Sequence, residues 1–373
     1  MLTVTHFYEA HGGGIERVAG NLCREFAAMG LETAWAASDQ DAVPLNGVVA
    51  VPLRSFDPVE RLTGLPMTIP GWRSIRELAR EIARCDAVII HDALYASSIL
   101  AMLIARRARK RTVLVQHIAA IPFSSRLLRG VMRLAGALVT RPMLRAADAV
   151  VFISDTVRAE LIGTSGWRDW RLAFNGVDRA IFHRTSTDVG EPGLPRRWPQ
   201  DKTRVLFVGR YVDKKGLAVL RALAEYRQDL ALLLVGTGPR QPGEWGLSNV
   251  HDLGPQTQTA LADLYRSADL LLLPSVGEGF PLVIQEAMAS GLPVICGQPA
   301  DRGDPNAARW IKGVPIDLAD PQGSALRCSQ AIDSARLSTA ERAEMADYAA
   351  ATYDWHKMAE TLIAAARGTD GQG

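Results

Sequence analysis

The stretch that most narrows what this chain can become starts at Ala268-Asp-Leu-Leu-Leu-Leu273 and runs to Pro293. An apolar run this short makes a strand buried on both faces of a parallel sheet. The residues after it bring Gly277, Glu278 and Gly279, and Pro281 sits where a first helical turn tolerates proline. Gly291 and Pro293 supply the matching stop, so the unit reads strand, loop, helix. Glu278 falls in the loop, and Glu286 about a turn and a half into the helix. The N–H groups of Gly279, Phe280 and the first helical residues, Leu282 among them, fall outside the intrahelical bonding pattern. Together with the positive end of the helix dipole they suit an anion. Two acids flanking such a place suit hydroxyls, Glu286 a ribose diol and Glu278 a polar, uncharged group. Phosphate with sugar on either side describes a sugar nucleotide.

A chain of 373 residues is long enough for two ordinary domains. With 48% hydrophobic and 22% charged residues it belongs with soluble globular proteins. Cys23, Cys85, Cys296 and Cys328 lie far apart, without metal-ligand spacing, which suits a reducing cytosol and argues against structural zinc or disulfides. The first residues already read as a strand, so no leader is expected, and no apolar run is long enough to span a bilayer. The net charge of +2 conceals an asymmetry: no acid lies between Asp92 and Asp148, where ten basic residues from Arg106 to Arg145 leave −8 for the rest. Arg126, Arg129 and Arg133, spaced at three and four with apolar residues between them, suit a basic amphipathic helix. A solvated basic face accounts for the same pattern equally well. Nucleic acid is not the expected partner, because Phe123 is the only Phe, Trp or Tyr between Tyr95 and Asp148.

Strand-like Leu2–Phe7, Thr33–Ala37, Ala87–Ile90, Thr112–Gln116 and Ala147–Ile153 alternate with helical stretches such as Ile15–Met29. This alternation predicts a parallel sheet wound with helices. Gly12-Gly13-Gly14 between the first strand and helix lets backbone approach a ligand. The dinucleotide fingerprint fails there, because its third glycine position is Arg17. His117 follows a strand at the carboxyl end, where such sheets put their ligands. A linker rich in Pro, Gly and charge spans 185–202, and a second alternation begins at Arg204–Val208. Gly209-Arg210…Lys215-Gly216 follows that strand, with Arg210 and Lys215 suited to a diphosphate as fork and point charge. Lys214 is read as solvated. Gly236-Thr-Gly238 turns after Leu230–Val235, and His251–Gly254 precedes a further helix.

Glu278 and Glu286, with Gly279-Phe280-Pro281-Leu282 between them and Ala287-Met288-Ala289 after, form a Glu-x7-Glu pair that resembles the retaining glycosyltransferases of family 4, the group 1 enzymes of the GT-B superfamily. The resemblance covers most of the chain and is most specific in the carboxyl half. It implies two doubly wound parallel-sheet (Rossmann-like) α/β domains facing across a cleft. They comprise an acceptor-side domain over 1–184, the 185–202 linker, a nucleotide-sugar domain over 203–345, and a terminal helix over 346–373 crossing back to the first domain. The implied activity is metal-independent hexosyl transfer, with retention, from a UDP- or GDP-linked sugar to a glycan or lipid-linked acceptor. Bacterial surface polysaccharide or glycolipid synthesis is the implied setting, in the cytoplasm or peripherally at the inner face of the cytoplasmic membrane. The donor is a substrate, and no cofactor or metal is expected. The resemblance gives His117, Arg210, Lys215 and Glu278 catalytic roles. It gives donor contacts to Gly13, Gly14, Gly236, Leu253, Gly279, Phe280, Pro281, Leu282 and Glu286. Rival readings are a sugar-nucleotide epimerase or phosphorylase on the same scaffold and a non-catalytic binding subunit. Cys296–Pro305 departs from the family pattern after the central helix.

Overall fold

In this computed structural model the described residues are 1–40, 47–56, 68–118, 130–131, 134–163, 167, 169–184, 201–335 and 337–369. Continuous apolar segments such as Val88-Ile-Ile90 and Val113-Leu-Val115 are wholly buried, as strands covered on both faces must be. They belong to one parallel sheet of β1 (Leu2–Val4), β2 (Ala34–Ser38), β3 (Val49–Leu53), β4 (Ala87–His91), β5 (Arg111–Gln116), β6 (Ala149–Phe152) and β7 (Trp170–Leu172), ordered β3-β2-β1-β4-β5-β6-β7. The edge strands β3 and β7 were not expected. Pro52 lies within β3, and Val49 and Trp170 are exposed, so neither strand carries the apolar run of a central one.

The helices of this half are α1 (Gly14–Ala28), α2 (Trp72–Arg84), α3 (Ala96–Arg107), α4 (Arg141–Ala146) and α5 (Asp155–Ile162). Ala19 and Cys23 of α1 pack with Tyr8, Trp35 and Ala37 in one core cluster. A larger cluster joins Leu78 and Ile82 of α2 and Ala101 and Met102 of α3 to Val88, Ile90 and Leu114. Ser154 caps α5, its Oγ accepting from the Val157 N–H at 3.2 Å.

A second parallel sheet comprises β8 (Thr203–Val208), β9 (Leu230–Val235), β10 (Val250–Gly254), β11 (Leu270–Leu273), β12 (Val294–Gly297) and β13 (Ile311–Val314), ordered β10-β9-β8-β11-β12-β13. Its helices are α6 (Leu217–Tyr226), α7 (Gln258–Ser267), α8 (Leu282–Ala289), α9 (Pro321–Ser334) and α10 (Thr339–Thr352). The last helix, α11 (Trp355–Arg367), packs with the first sheet's unit. There Leu362 is fully buried, and Arg111 and Arg171 donate to the Ala365 and Thr361 carbonyls. Burying a leucine of this kind contributes about 2 kcal/mol.

The two units are Met1–Asn175 with Trp355–Gly373, and Gly176–Asp354. From the sequence the boundaries are expected at 184 and 346. Residues 176–184 and 346–354 join the second unit because the Val177 N–H bonds the Tyr353 carbonyl at 3.0 Å, Arg179 pairs with Asp354, and Phe182 meets Tyr265 edge-on. The expected linker lies outside the described residues except for Asp201 and Lys202. Among the described residues no helix is long and apolar enough to cross a membrane.

Candidate functional site

Both sheets change direction at their first strand, where β1 lies between β2 and β4 and β8 between β9 and β11. The loops leaving the carboxyl ends of such neighbouring strands part to opposite sides and leave a crevice for ligands. In the second unit those are the loops after β8 and β11. Gly216 holds φ +76°, and a Cβ there would come within 2.1 Å of the Pro274 carbonyl oxygen. Only glycine lets the two loops approach this closely. The Lys214 carbonyl also accepts the Val276 N–H at 3.0 Å.

This contact brings Lys215 Nζ to 3.0 Å and Lys214 Nζ to 3.8 Å from Glu278 Oε1. Burial holds the Lys214 pKa below the usual lysine range; Glu278 opposes that shift, while Lys215 and Arg210 reinforce it. Lys214 is therefore no solvated bystander. The short 3-10 turn Asp213–Lys215 turns it toward the acid. Arg210 is exposed on the same loop. Glycine is again obligatory at Gly236, whose φ is +153° and whose added Cβ would lie 1.9 Å from the Gly209 oxygen. Its N–H donates to Gly254 O at 3.1 Å, beside half-buried Leu253. Tyr211, which the sequence did not single out, ties these turns together by donating to Asp252 Oδ1 at 2.8 Å.

Pro281 is the N-cap of α8, extended with ψ 142°, and not a residue of its first turn; helical geometry begins at Leu282. Gly291, at φ +73°, ends α8. Its N–H bonds Met288 O and the Leu292 N–H bonds Ala287 O, the paired closure of a Schellman motif. Glu286, on the buried face of the helix and 2% exposed, accepts from the Tyr265 hydroxyl at 3.0 Å through Oε2. Phe280 is buried beneath the loop, and Gln285 Nε2 donates to its carbonyl. Gly279 is half-buried beside it.

In the first unit, Gly13 is the N-cap of α1 and Gly14 its first residue. A Cβ on Gly13 would meet Glu16 Oε2 at 2.0 Å, so this glycine admits the glutamate over the helix start; one on Gly14 would meet nothing within 4 Å. His117 is buried, with Nε2 2.9 Å from His91 Nδ1. Its backbone N–H donates to Asp92 Oδ1 at 2.8 Å. Burial presses the His117 pKa down to about 3 and holds that of His91 well below the usual range, the neighbouring ring adding to the latter. Burial raises the Asp92 carboxyl to about 7, against the N–H bonds from His117 and Ile118 and with nearby Glu16 adding to the rise. His91 and Asp92 escaped the sequence reading. The available signal was their position at the end of β4, adjacent to β5, which ends just before His117. His11, in turn, stacks on Phe7.

Arg126, Arg129 and Arg133 lie outside the described residues. Around them, Val131, Leu134 and Leu138 are 54%, 59% and 66% exposed. The Arg106 guanidinium donates to the Ala146 carbonyl, joining the basic end of α3 to α4, which carries Arg141 and Arg145.

Residues 12–180 match the model of Glycosyltransferase Family 4, and residues 202–331 that of Glycosyl transferases group 1. Over 253 residues the chain is 28% identical to D-inositol 3-phosphate glycosyltransferase of Mycobacterium tuberculosis, covering 61% of this chain and 50% of that protein. The chain thus spans about half the length of the curated relatives it matches. Sucrose-phosphate synthase from Thermosynechococcus elongatus has the same fold at TM-score 0.74 and 18% identity, over 98% of both chains. Anabaena HepE in complex with UDP-glucose superposes at TM-score 0.65 and 18% identity, over 97% of this chain and 99% of that one. Two parallel-sheet α/β units with these matches identify the chain as a member of the group 1, family 4 glycosyltransferases, with the GT-B fold.

Proposed function

We propose that the chain transfers a sugar, with retention at the anomeric carbon, from a nucleoside-diphosphate sugar to a glycan or lipid-linked acceptor. The observation that carries this reading is the meeting of Lys214, Lys215 and Glu278 at the switch point of the second sheet, with Arg210 on the same loop. When the anomeric C–O bond breaks, its electron pair leaves on the diphosphate, and fixed cations stabilise that charge more in the transition state than in the substrate. The α8 start adds the positive end of its dipole. Arg210 supplies a planar fork and Lys215 a point charge. Glu286, oriented by Tyr265, takes the ribose hydroxyls, and Glu278 the donor sugar. In a front-face route the acceptor oxygen bonds the anomeric carbon while its proton passes to the departing phosphate. These fixed charges carry out the role a divalent metal has in other transferases, so the reaction proceeds without one. Family resemblance assigns His117 to the transferred sugar.

The HepE complex with UDP-glucose favours a UDP-linked donor. The setting we propose is surface polysaccharide or glycolipid synthesis, with the chain docked on an anionic lipid face. Val131, Leu134 and Leu138 are exposed, as are Arg106, Arg107 and Arg141 of the same acid-free stretch, and that supports the setting, because apolar and basic groups together suit an interface. The direct test is thermal stabilisation by a panel of UDP- and GDP-sugars. A ligand at a hundredfold its Kd adds about 2.7 kcal/mol. No shift with any nucleotide sugar or free nucleotide overturns the reading.

A further inference from the structure

Behind Phe280 lies a polar cluster to which the site described above assigns no role. Asp304 is fully buried, and both Tyr348 and Tyr353 donate their hydroxyls to its Oδ2, at 2.7 and 2.9 Å. Its other oxygen accepts the Asn306 N–H at 3.0 Å. A buried polar group is expensive to leave without its hydrogen bonds, so a fully bonded carboxylate favours the one arrangement that keeps those bonds over others that break them. The arrangement held here is specific. A Cβ on Gly303 would come within 2.5 Å of the Phe280 ring, so the backbone beside Asp304 lies flat against that ring. Tyr353 meets Phe280 edge-on, centroids 5.7 Å apart, and its hydroxyl also reaches Met288 Sδ on α8 at 3.8 Å. The loop 298–305, where the sequence departs from the family pattern, thus contributes part of the support for Phe280.

We propose that Asp304 is a positioning residue of the donor loop: by gripping the Tyr348 and Tyr353 hydroxyls it clamps the Gly303 backbone and the Tyr353 ring about Phe280, and so sets where α8 begins. The proposal rests on the donor-site reading for its functional consequence, but its structural content can be measured without a ligand. Tyr353 is also where the chain leaves this unit, its carbonyl taking the Val177 N–H and the next residue, Asp354, pairing with Arg179. The clamp therefore ties the donor loop to both ends of the unit.

Hydrogen exchange on the ligand-free chain tests the clamp. The reporters are the Ile284 N–H, which bonds Pro281 O at 3.0 Å, and the Gly303 N–H, which bonds Ala300 O at 3.1 Å. Tyr353→Phe and Asp304→Ala should speed exchange at both by about tenfold, while β8 stays as protected as in the parent. Asp304→Asn keeps an oxygen for the hydroxyls and should restore most of the protection. If Asp304→Ala does not fold, Tyr353→Phe decides the matter, because it leaves Asp304 bonded to Tyr348. Unchanged exchange at Ile284 and Gly303 in Tyr353→Phe overturns the clamp. UDP and GDP titrations form the second arm: the parent should bind one of them, and Tyr353→Phe about tenfold more weakly. A parent that binds neither overturns the donor-site reading, whatever the exchange shows. Parent-like affinity in Tyr353→Phe alongside faster exchange overturns the functional role of the clamp.

Discussion

Lys215 Nζ and Glu278 Oε1 stand 3.0 Å apart, each side chain about 15% exposed, in a loop pair that only glycine at position 216 allows. The acid neutralises part of the positive potential offered to a diphosphate. Glu278→Gln should therefore tighten UDP or GDP binding severalfold, worth about 1 kcal/mol, while sugar transfer falls. Lys215→Ala should weaken binding and cost on the order of 10²-fold in turnover. Titration calorimetry beside initial rates separates the two, and weaker nucleotide binding in Glu278→Gln would contradict the charge argument.

Gly216→Ala should destabilise the protein by about 2 kcal/mol or more, because both its φ and its contact with Pro274 O exclude a side chain. Chemical denaturation reads the loss. A variant as stable as the parent would show that the two loops can separate without cost.

Asp92 gives stability a pH signature. Its folded pKa of about 7 exceeds the unfolded value, so the stability present at low pH is lost as pH rises through 7. His91 and His117, depressed in the fold, act oppositely: below about 6.5 the unfolded chain takes up their protons and stability falls. Below about 6.5, for as long as both rings stay neutral in the fold, the two histidines outweigh the one acid. Asp92→Asn should make this limb steeper by about one proton, or ~1.4 kcal/mol per pH unit. Parallel stability curves for parent and variant from pH 4 to 7 would refute the raised pKa.

Transfer should survive EDTA, since the developing charge is met by Arg210, Lys215 and the α8 start. Activity abolished by chelation and restored by magnesium or manganese would show that these groups are insufficient.

Anionic vesicles should retain the chain and neutral ones release it, with salt weakening the attachment because exposed charges are screened beyond about 8 Å at physiological ionic strength. Arg107→Glu with Arg141→Glu should reduce co-sedimentation, and Leu134→Ser with Leu138→Ser should reduce it further. Equal recovery on both vesicle types would leave the segment a solvated basic face.

The strand-loop-helix from Ala268 to Pro293 was legible in the sequence because each of its parts obeys a local rule: a buried apolar run, a proline at the helix entrance, a glycine at the exit. The observed strand Leu270–Leu273 and helix Leu282–Ala289 differ from that reading only at their ends. Local rules also place Lys215, Glu278 and Glu286 on their loops and helix, and two parallel sheets wound with helices follow from repeated alternation, whereas the GT-B arrangement was implied by the family resemblance alone. Only tertiary structure decided what those side chains meet. Tyr265 reaches Glu286 across 21 residues, His91 reaches His117 across 26, and Tyr353 reaches Asp304 across 49. No periodicity encodes such partners, since contacts between distant segments depend on which strands become neighbours in the sheet and how closely their loops can pass. The edge strands β3 and β7 stayed hidden for a related reason: half-exposed residues carry no continuous apolar run, and pairing with a neighbour is what makes them strands.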